Sequence, residues 1–454
     1  MAVFLQRDVV LHITPNVAAG TADSVTYKMP IQEGFSFSQA TNASEVTLSE
    51  MESSAGTSRR GRRMFNDSLA PAEWSFTTYI RPFKSNGTGT KNHSNAHIHA
   101  VEECLWNALL AQGALTEAST TARTTSATGS VVYDSTRSNK AALNTITMEF
   151  QFATGFVYKL NKCVVNTANI SFDVDGIAQV EWSGFAETIE EKVTTLTSVT
   201  CQNSGDTITK SSHGIANGTL VSLADFSGGI AEGEYYVIST ATNTFQVSLT
   251  SGGSAVAVTA DGTGGTVTTN GTIVASTIEE GQRTSDTSNY LRNRLTQLVL
   301  DGDNATNHSS ARKSYSLTLT GGNISIDNGI NYLTPDTLGS VNTPLEHITG
   351  PRNVSGAFTC YLAGGKDTSQ DFWQDMAGSG QRNIVTNNFD ITFKIGGTTS
   401  PYCNIQLPKA HVEIPTHSIE DVISLETSFN ALPTDLDSAD DVTITMVGPL
   451  AAAS

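Results

Sequence analysis

Two stretches far apart in this chain are near copies of one another: Phe76-Thr77-Thr78-Tyr79-Ile80 and Phe358-Thr359-Cys360-Tyr361-Leu362. In the first, apolar side chains recur every second residue, the period of a strand with one buried face. It closes a longer unit, Arg59 to Ile80. There a basic knot (Arg59, Arg60, Arg62, Arg63) runs through Phe65, Asn66 and Asp67 and a Ser/Pro turn into the alternation Trp74, Phe76, Thr78, Ile80. A strand that returns late in a long chain predicts an internal duplication.

Further matches fall in the same order. Phe35-Ser36-Phe37-Ser38 corresponds to Ile324-Ser325-Ile326-Asp327, and Trp74 to Ile80 corresponds to Gly356 to Leu362. Ile146 to Phe152 corresponds to Phe389 to Ile395. Ala168-Asn169-Ile170-Ser171-Phe172 corresponds to Ala410-His411-Val412-Glu413-Ile414, and Glu181 to Phe185 to Glu426 to Phe429. Between them Ile98, Val101, Leu105 and Leu109 share one face and predict an amphipathic helix lying across a sheet, with Glu102 and Glu103 off that face. Thr368 to Met376 is the shorter helical counterpart. Thr116 to Arg137, rich in Thr and Ser, reads as a long exposed loop. The expected strand core comprises Trp74, Phe76, Ile80, Ile170, Phe172, Phe358, Leu362, Val412 and Ile414.

From about Thr195 to Ser276 the composition shifts to Gly, Ser, Thr and Val, without Pro, Trp or Arg. Strand-like runs at Leu220 to Leu223, Tyr235 to Ser239, Thr244 to Leu249 and Ala255 to Val258 predict a small all-β domain inserted between two larger ones. The expected division is 1–192, 195–276 and 277–454, in a mainly β protein. At 454 residues the chain exceeds one ordinary core.

The formal charge of -18 argues against a net positive nucleic-acid binder. No run approaches the ~20 apolar residues of a membrane helix, and the N-terminal residues lack a secretion signal, so no membrane insertion is expected. Five scattered cysteines without a C-x-x-C pair read as reduced thiols.

Chemistry-bearing motifs are sparse. His93, His97 and His99 beside Glu102, Glu103 and Cys104 form the densest set of potential metal ligands, but only His93 and His97 share a helical face, and a polar loop entering a helix is the simpler reading. Asp301-Gly302-Asp303-Asn304 opens like a calcium loop yet has Ala305 at a ligand position and no Glu at the twelfth. With no nucleophile elbow, phosphate loop or dinucleotide fingerprint, the expectation is no enzyme, no cofactor and no metal. The arginine knot is expected to dock on an acidic patch of a neighbouring subunit, with a solvated loop as the alternative. Tyr235, Tyr236 and Phe245 could stack on sugars, though their alternation suits a core better.

The run F-N-D-S-L-x-x-A-E-W-S-F-x-T-Y-I from Phe65 resembles the major tail tube proteins of siphophages related to coliphage T5. The likeness returns at Ile330-Asn331-Tyr332-Leu333-Thr334-Pro335, at Ala410 to Thr416 and at Pro433-Thr434-Asp435-Leu436-Asp437. This resemblance implies two tandem tail tube domains, each a β-sandwich with a flanking helix. Homotrimers would form pseudo-hexameric rings that stack into a hollow tube for DNA ejection. It implies as partners other copies of the chain, the tape measure, tail terminator and tail tip proteins, and phage DNA passing without specific binding. It places the protein in the virion tail, assembled in the host bacterial cytoplasm. The central insert departs from it, since the resemblance implies an extra immunoglobulin-like domain at the C-terminus; the insert is expected on the tube exterior. The alternative function is a cell-surface or virion adhesin whose inserted β domain binds glycans.

Overall fold

The computed structural model describes residues 5–16, 26–46, 63–84, 98–110, 124–125, 130–134, 143–152, 156–270, 278–280, 289–302, 313–335, 337–338, 341–377, 389–435, 438 and 440–448. The protein is mainly β, with two α-helices among the described residues. It divides into two compact units. One holds 190–274 with 1–10 and 149–159, and the other holds 11–148, 160–189 and 275–454.

The larger unit is built on a continuous antiparallel sheet of nine strands: β1 (Ser36–Ser38), β2 (Ala72–Tyr79), β3 (Phe156–Asp173), β4 (Gln179–Ala186), β5 (Leu319–Asp327), β6 (Asn353–Tyr361), β7 (Tyr402–Val412), β8 (Thr416–Ile419) and β9 (Ile423–Ala431). Pairing runs β1 to β2, β2 to β4, β4 to β3, then across to β5 and on to β6 and β9. β7 and β8 both pair with β9. The first four strands and the last five thus follow one order, with β3 matched by β7 and β8 together. The break between those two is at Glu413-Ile414-Pro415, where proline removes a ladder donor.

The registers shift two of the matches expected from sequence. Trp74 pairs with Phe37, whereas its counterpart Gly356 pairs with Ile324, so Phe37 rather than Phe35 stands where Ile324 does. Glu181 pairs with Asn169 and its counterpart Glu426 with Thr416, so the partner of Asn169 in the second run is Thr416 and not His411. The first shift is a slip by two, which leaves a two-residue alternation unchanged, whereas the second crosses the break at Glu413-Ile414-Pro415, after which the alternation restarts.

One face of this sheet carries Trp74, Phe76, Ile170, Phe172, Trp182, Ile324, Ile326, Phe358, Phe429 and Val412, all buried. Helix α1 (Glu103–Leu109) packs behind the first run, where Trp106 meets Trp182 edge-on at 4.6 Å. Such aromatic pairs add about 0.5–1.5 kcal/mol beyond area burial. Helix α2 (Ser369–Ala377) packs behind the second through Phe372, 6.4 Å from Phe358. α1 corrects the sequence reading. It is one short helix buried on every side, with Glu102 and Glu103 inside, and Ile98 belongs to a strand, Ile98–Ala100. The predicted loop 116–137 contains a strand, Ser130–Asp134, laddered to Thr443–Val447. Leu362 lies half-buried just past β6, and Ile414 is 49% exposed in the break after β7; the other expected core residues are buried.

The smaller unit is a closed six-stranded barrel, in spatial order Val193–Gln202, Thr207–Thr209, Thr244–Ser248, Gly233–Ile238, Leu220–Ala224 and Gly262–Asn270. Val199, Cys201, Val221, Val237, Phe245 and Val267 fill it. The last strand was not predicted. Ala255 to Val258, the expected strand, is irregular, and the ladder forms instead at Gly262 and beyond. Glycine serves there because a Cβ on Gly262 would stand 2.2 Å from the Gly228 carbonyl and one on Gly265 2.4 Å from the Phe226 ring. Tyr235 and Phe245 are core residues and Tyr236 is half-buried.

Candidate functional site

The face of the large sheet opposite the core is where its alternation places polar residues. On β2, β4, β3, β5, β6 and β9 that face presents, beside Tyr79, Phe185, Ala357 and Tyr361, the polar residues Glu73, Ser75 and Thr77; Glu181 and Ser183; Thr167, Asn169, Ser171 and Asp173; Asn323, Ser325 and Asp327; Asn353, Ser355 and Thr359; and Glu426, Ser428 and Asn430. Five carboxylates stand among hydroxyls and amides, with no Lys or Arg at these positions. Hydroxyls bridge neighbouring strands: Ser36 to Ser75 at 2.9 Å, Thr167 to Ser183 at 2.5 Å, and Ser325 Oγ donating to Asn169 Oδ1 at 2.7 Å. Short side chains thus link neighbouring strands across a face that carries negative charge.

The crossing from β3 to β5 joins the two runs edge to edge. Ala168 pairs with Ile326 and Ile170 with Ile324, all four nearly inaccessible. The counterparts of these two edges are β8 and β1. They are far more open: Ile419 is 77% exposed, Ser36 and Ser38 are exposed, and Phe35 and Phe37 are half-buried and stacked at 6.4 Å.

Each run also sends out a two-stranded ribbon between its first two sheet strands. In the first run Thr41–Val46 pairs with Arg63–Leu69, and in the second Asn331–Leu333 pairs with Glu346–Ile348. Of the residues expected at an interface, Arg59, Arg60 and Arg62 lie outside the described residues. Arg63, Phe65, Asn66 and Asp67 lie together on the first ribbon and are exposed. Asp67 accepts from the Ser44 hydroxyl, and its carbonyl accepts from Asn342 N at 3.2 Å. The ribbons expose Met64, Phe65, Leu333 and Ile348, each at least half accessible.

Behind the first run lies a buried polar centre whose His99, Glu102 and Glu103 stood out in the sequence as potential ligands, but whose Arg81 and Asn289 did not. Arg81, 2% exposed, donates through Nε and Nη2 to Asn289 Oδ1 (3.3 and 3.1 Å), and its guanidinium lies over the Tyr290 ring at 4.3 Å. Glu102 accepts from Arg81 N at 3.3 Å and from Trp106 Nε1 at 3.1 Å. Burial pushes its carboxyl up to about 7, against the opposing pull of these hydrogen bonds and Arg81. Glu103 accepts from Tyr27 Oη at 3.2 Å and holds His99 Nδ1 at 3.0 Å. His99 is thus tied to a carboxylate inside the fold, while His93 and His97 lie outside the described residues. No group of three potential metal ligands occurs among the described residues. A signal for this centre did exist: two adjacent acids in an otherwise apolar helical stretch.

No protein-family model matches the chain. Over 429 residues it is 25% identical to the tail tube protein pb6 of Escherichia phage T5, a match covering 94% of this chain and 72% of pb6. This chain is a relative of the T5 tail tube protein. The relationship extends over nearly the whole chain.

Proposed function

We propose that this protein is a structural component of a phage tail tube, and that its two runs of sheet strands are tandem tail tube domains. The observation that carries this reading is the β3 to β5 ladder, an edge-to-edge joint already made inside one chain. Repeating it between chains, with β8 of one copy on β1 of the next, closes a ring without leaving sheet edges exposed. The equivalent register sets Ile419 against Phe35 and Ser418 against Ser36. Three chains give six similar domains, and stacked rings give the tube. Kinship with the T5 tail tube protein supports the same assignment. In a tube the remaining partners are the other tail proteins.

The polar sheet face is the wall such a ring turns toward its bore. Nucleic-acid affinity rests on cationic contacts to phosphate, which a face of Glu73, Glu181, Asp173, Asp327 and Glu426 does not offer. Screening confines the repulsion to about 8–10 Å, so the wall lets DNA pass without driving it.

The test is a cysteine pair, Ser36→Cys with Ser418→Cys, in a background whose five native cysteines are all buried. Mild oxidation is expected to convert the 48.1 kDa chain into covalent dimers and closed trimers, with rings or tubes visible by electron microscopy, whereas either single variant stays uncrosslinked. A chain that remains monomeric at high concentration and never crosslinks sinks the proposal.

A further inference from the structure

We propose that the mouth of the small barrel is a binding site for a neutral glycan. The inference is independent of the tube reading, because it concerns only the smaller unit. A cavity of 630 Å³ opens where the barrel ends, within the range of about 300–1,000 Å³ typical of small-molecule sites, which favour barrel mouths.

The wall chemistry narrows the ligand. Along three neighbouring strands the inward register is apolar at Leu196, Val267 and Leu223; one step on, at Thr194, Thr269 and Val221, two of the three positions become threonine, and Thr219 stands just before the third strand, a further step out. Thr194 and Thr269 are direct cross-strand partners, and Val221 pairs with Thr269 on the other side. Two threonine hydroxyls on one rung, with that of Thr219 a step beyond, therefore stand above the apolar core and line the cavity. Asn217 adds an amide whose Oδ1 is occupied by Thr240 N at 3.0 Å, which leaves its Nδ2 hydrogens as donors. Gln151 supplies a second amide, and Phe156, stacked on Phe152 at 5.0 Å, supplies an aromatic wall.

Among the described residues, the cavity lining contains no Asp, Glu, Lys or Arg. Its one histidine, His213, is committed to structure. Nε2–H donates to the Ala241 carbonyl at 2.8 Å, Nδ1 accepts from Ile215 N at 3.1 Å, and the ring packs on Phe245 at 4.9 Å. Those contacts hold the 213–220 loop in place as one wall of the cavity. An uncharged cleft of hydroxyls and amides beside an aromatic ring suits a polyhydroxylated ligand with an apolar face. It offers nothing to an anion or a cation, whose desolvation would go uncompensated.

The experiment is saturation-transfer NMR on the full-length protein. The probes are the methyl glycosides of glucose, galactose, mannose and N-acetylglucosamine, with sialyllactose as the anionic comparison. At least one neutral glycoside is expected to saturate, and the double substitution Thr194→Val with Thr269→Val should weaken it about tenfold, as loss of two modest hydrogen bonds does. Val keeps the β-branched shape at both positions, and an unchanged melting temperature verifies that the barrel is intact. Gln151→Ala, on the other wall, is the second variant and should also weaken binding. The proposal is overturned by absence of saturable signal from every neutral probe at its solubility limit. Undiminished binding by all variants, or binding of sialyllactose alone, overturns it equally.

Discussion

The two runs of the large sheet solve one packing problem in opposite ways. In the first, Trp74 on β2 lies across from Gly184 on β4; in the second, Gly356 on β6 lies across from Phe429 on β9. Each pair combines one large ring with one glycine, but the ring has changed strands. The pairing fixes a cross-strand volume at this point and leaves open which partner fills it. Backbone proximity reinforces the choice. A Cβ on Gly184 would stand 2.0 Å from the Val164 carbonyl and 2.6 Å from the Trp74 ring, and one on Gly356 2.2 Å from the Asn323 carbonyl and 2.6 Å from the Phe429 ring.

The most severe way to break this symmetry is to put a methyl at either glycine. Gly184→Ala and Gly356→Ala should each cost about 3 kcal/mol or more, because a ladder carbonyl cannot retreat as a side chain can. Denaturant titration of each variant measures it. Trimming the ring as well, in Gly184→Ala with Trp74→Ala, should not restore stability. Recovery in that double variant would mean that the ring alone, and not the backbone, dictates the glycine.

The helices behind the two runs differ more than the strands do. α2 buries Ser369, Phe372 and Met376 and leaves Gln370 and Gln374 on its open side, as an amphipathic helix should, whereas α1 is enclosed together with Glu102. Glu102 therefore gives the first run a pH dependence of its own. The folded chain keeps the proton up to about pH 7, whereas an unfolded carboxyl releases it near 4.5. This group favours folding below that lower value, and its contribution is lost as pH rises through 7, an effect of about 3 kcal/mol. Glu102→Gln keeps an acceptor for Trp106 and Arg81 but removes the titration. Unfolding free energies of the native chain and the variant, compared from pH 4.5 to 8, should diverge in that direction; parallel curves would refute the assignment.

Legibility in the sequence followed the same division. Strands of the large sheet were readable because one face is buried and the other wet, so Trp74, Phe76, Ile170 and Phe358 stand in clear alternation. The helix α1 was misread because enclosure removes the polar face that sets the period, and its acids are held by Arg81 and Tyr27 from distant segments as well as by Trp106 of the helix itself. In the barrel, Gly262–Asn270 was invisible since glycine and threonine carry little hydrophobic signal, and close backbone approach rather than apolar burial recruits them. The alternation of the sheet strands was legible but their register was not. A slip of two positions changes no alternation and yet decides which edges meet.

The ribbons offer the gentlest perturbation and the sharpest separation of folding from assembly. Phe65 on the first is 57% exposed and Leu333 on the second 50%, so neither contributes much to the folded chain. Phe65→Asp and Leu333→Asp should each change unfolding stability by less than about 0.5 kcal/mol, the ordinary range for surface positions. In the assembled state the same carboxylates would be buried without a partner, a far larger penalty. Light scattering of each variant is therefore expected to show loss of the assembled species with an unaltered melting curve. If one ribbon tolerates the charge and the other does not, the two are unequal at the interface, and the likeness between the runs stops at the sheet. If both tolerate it, the ribbons are solvent-facing and contact between copies rests on the β1 and β8 edges alone.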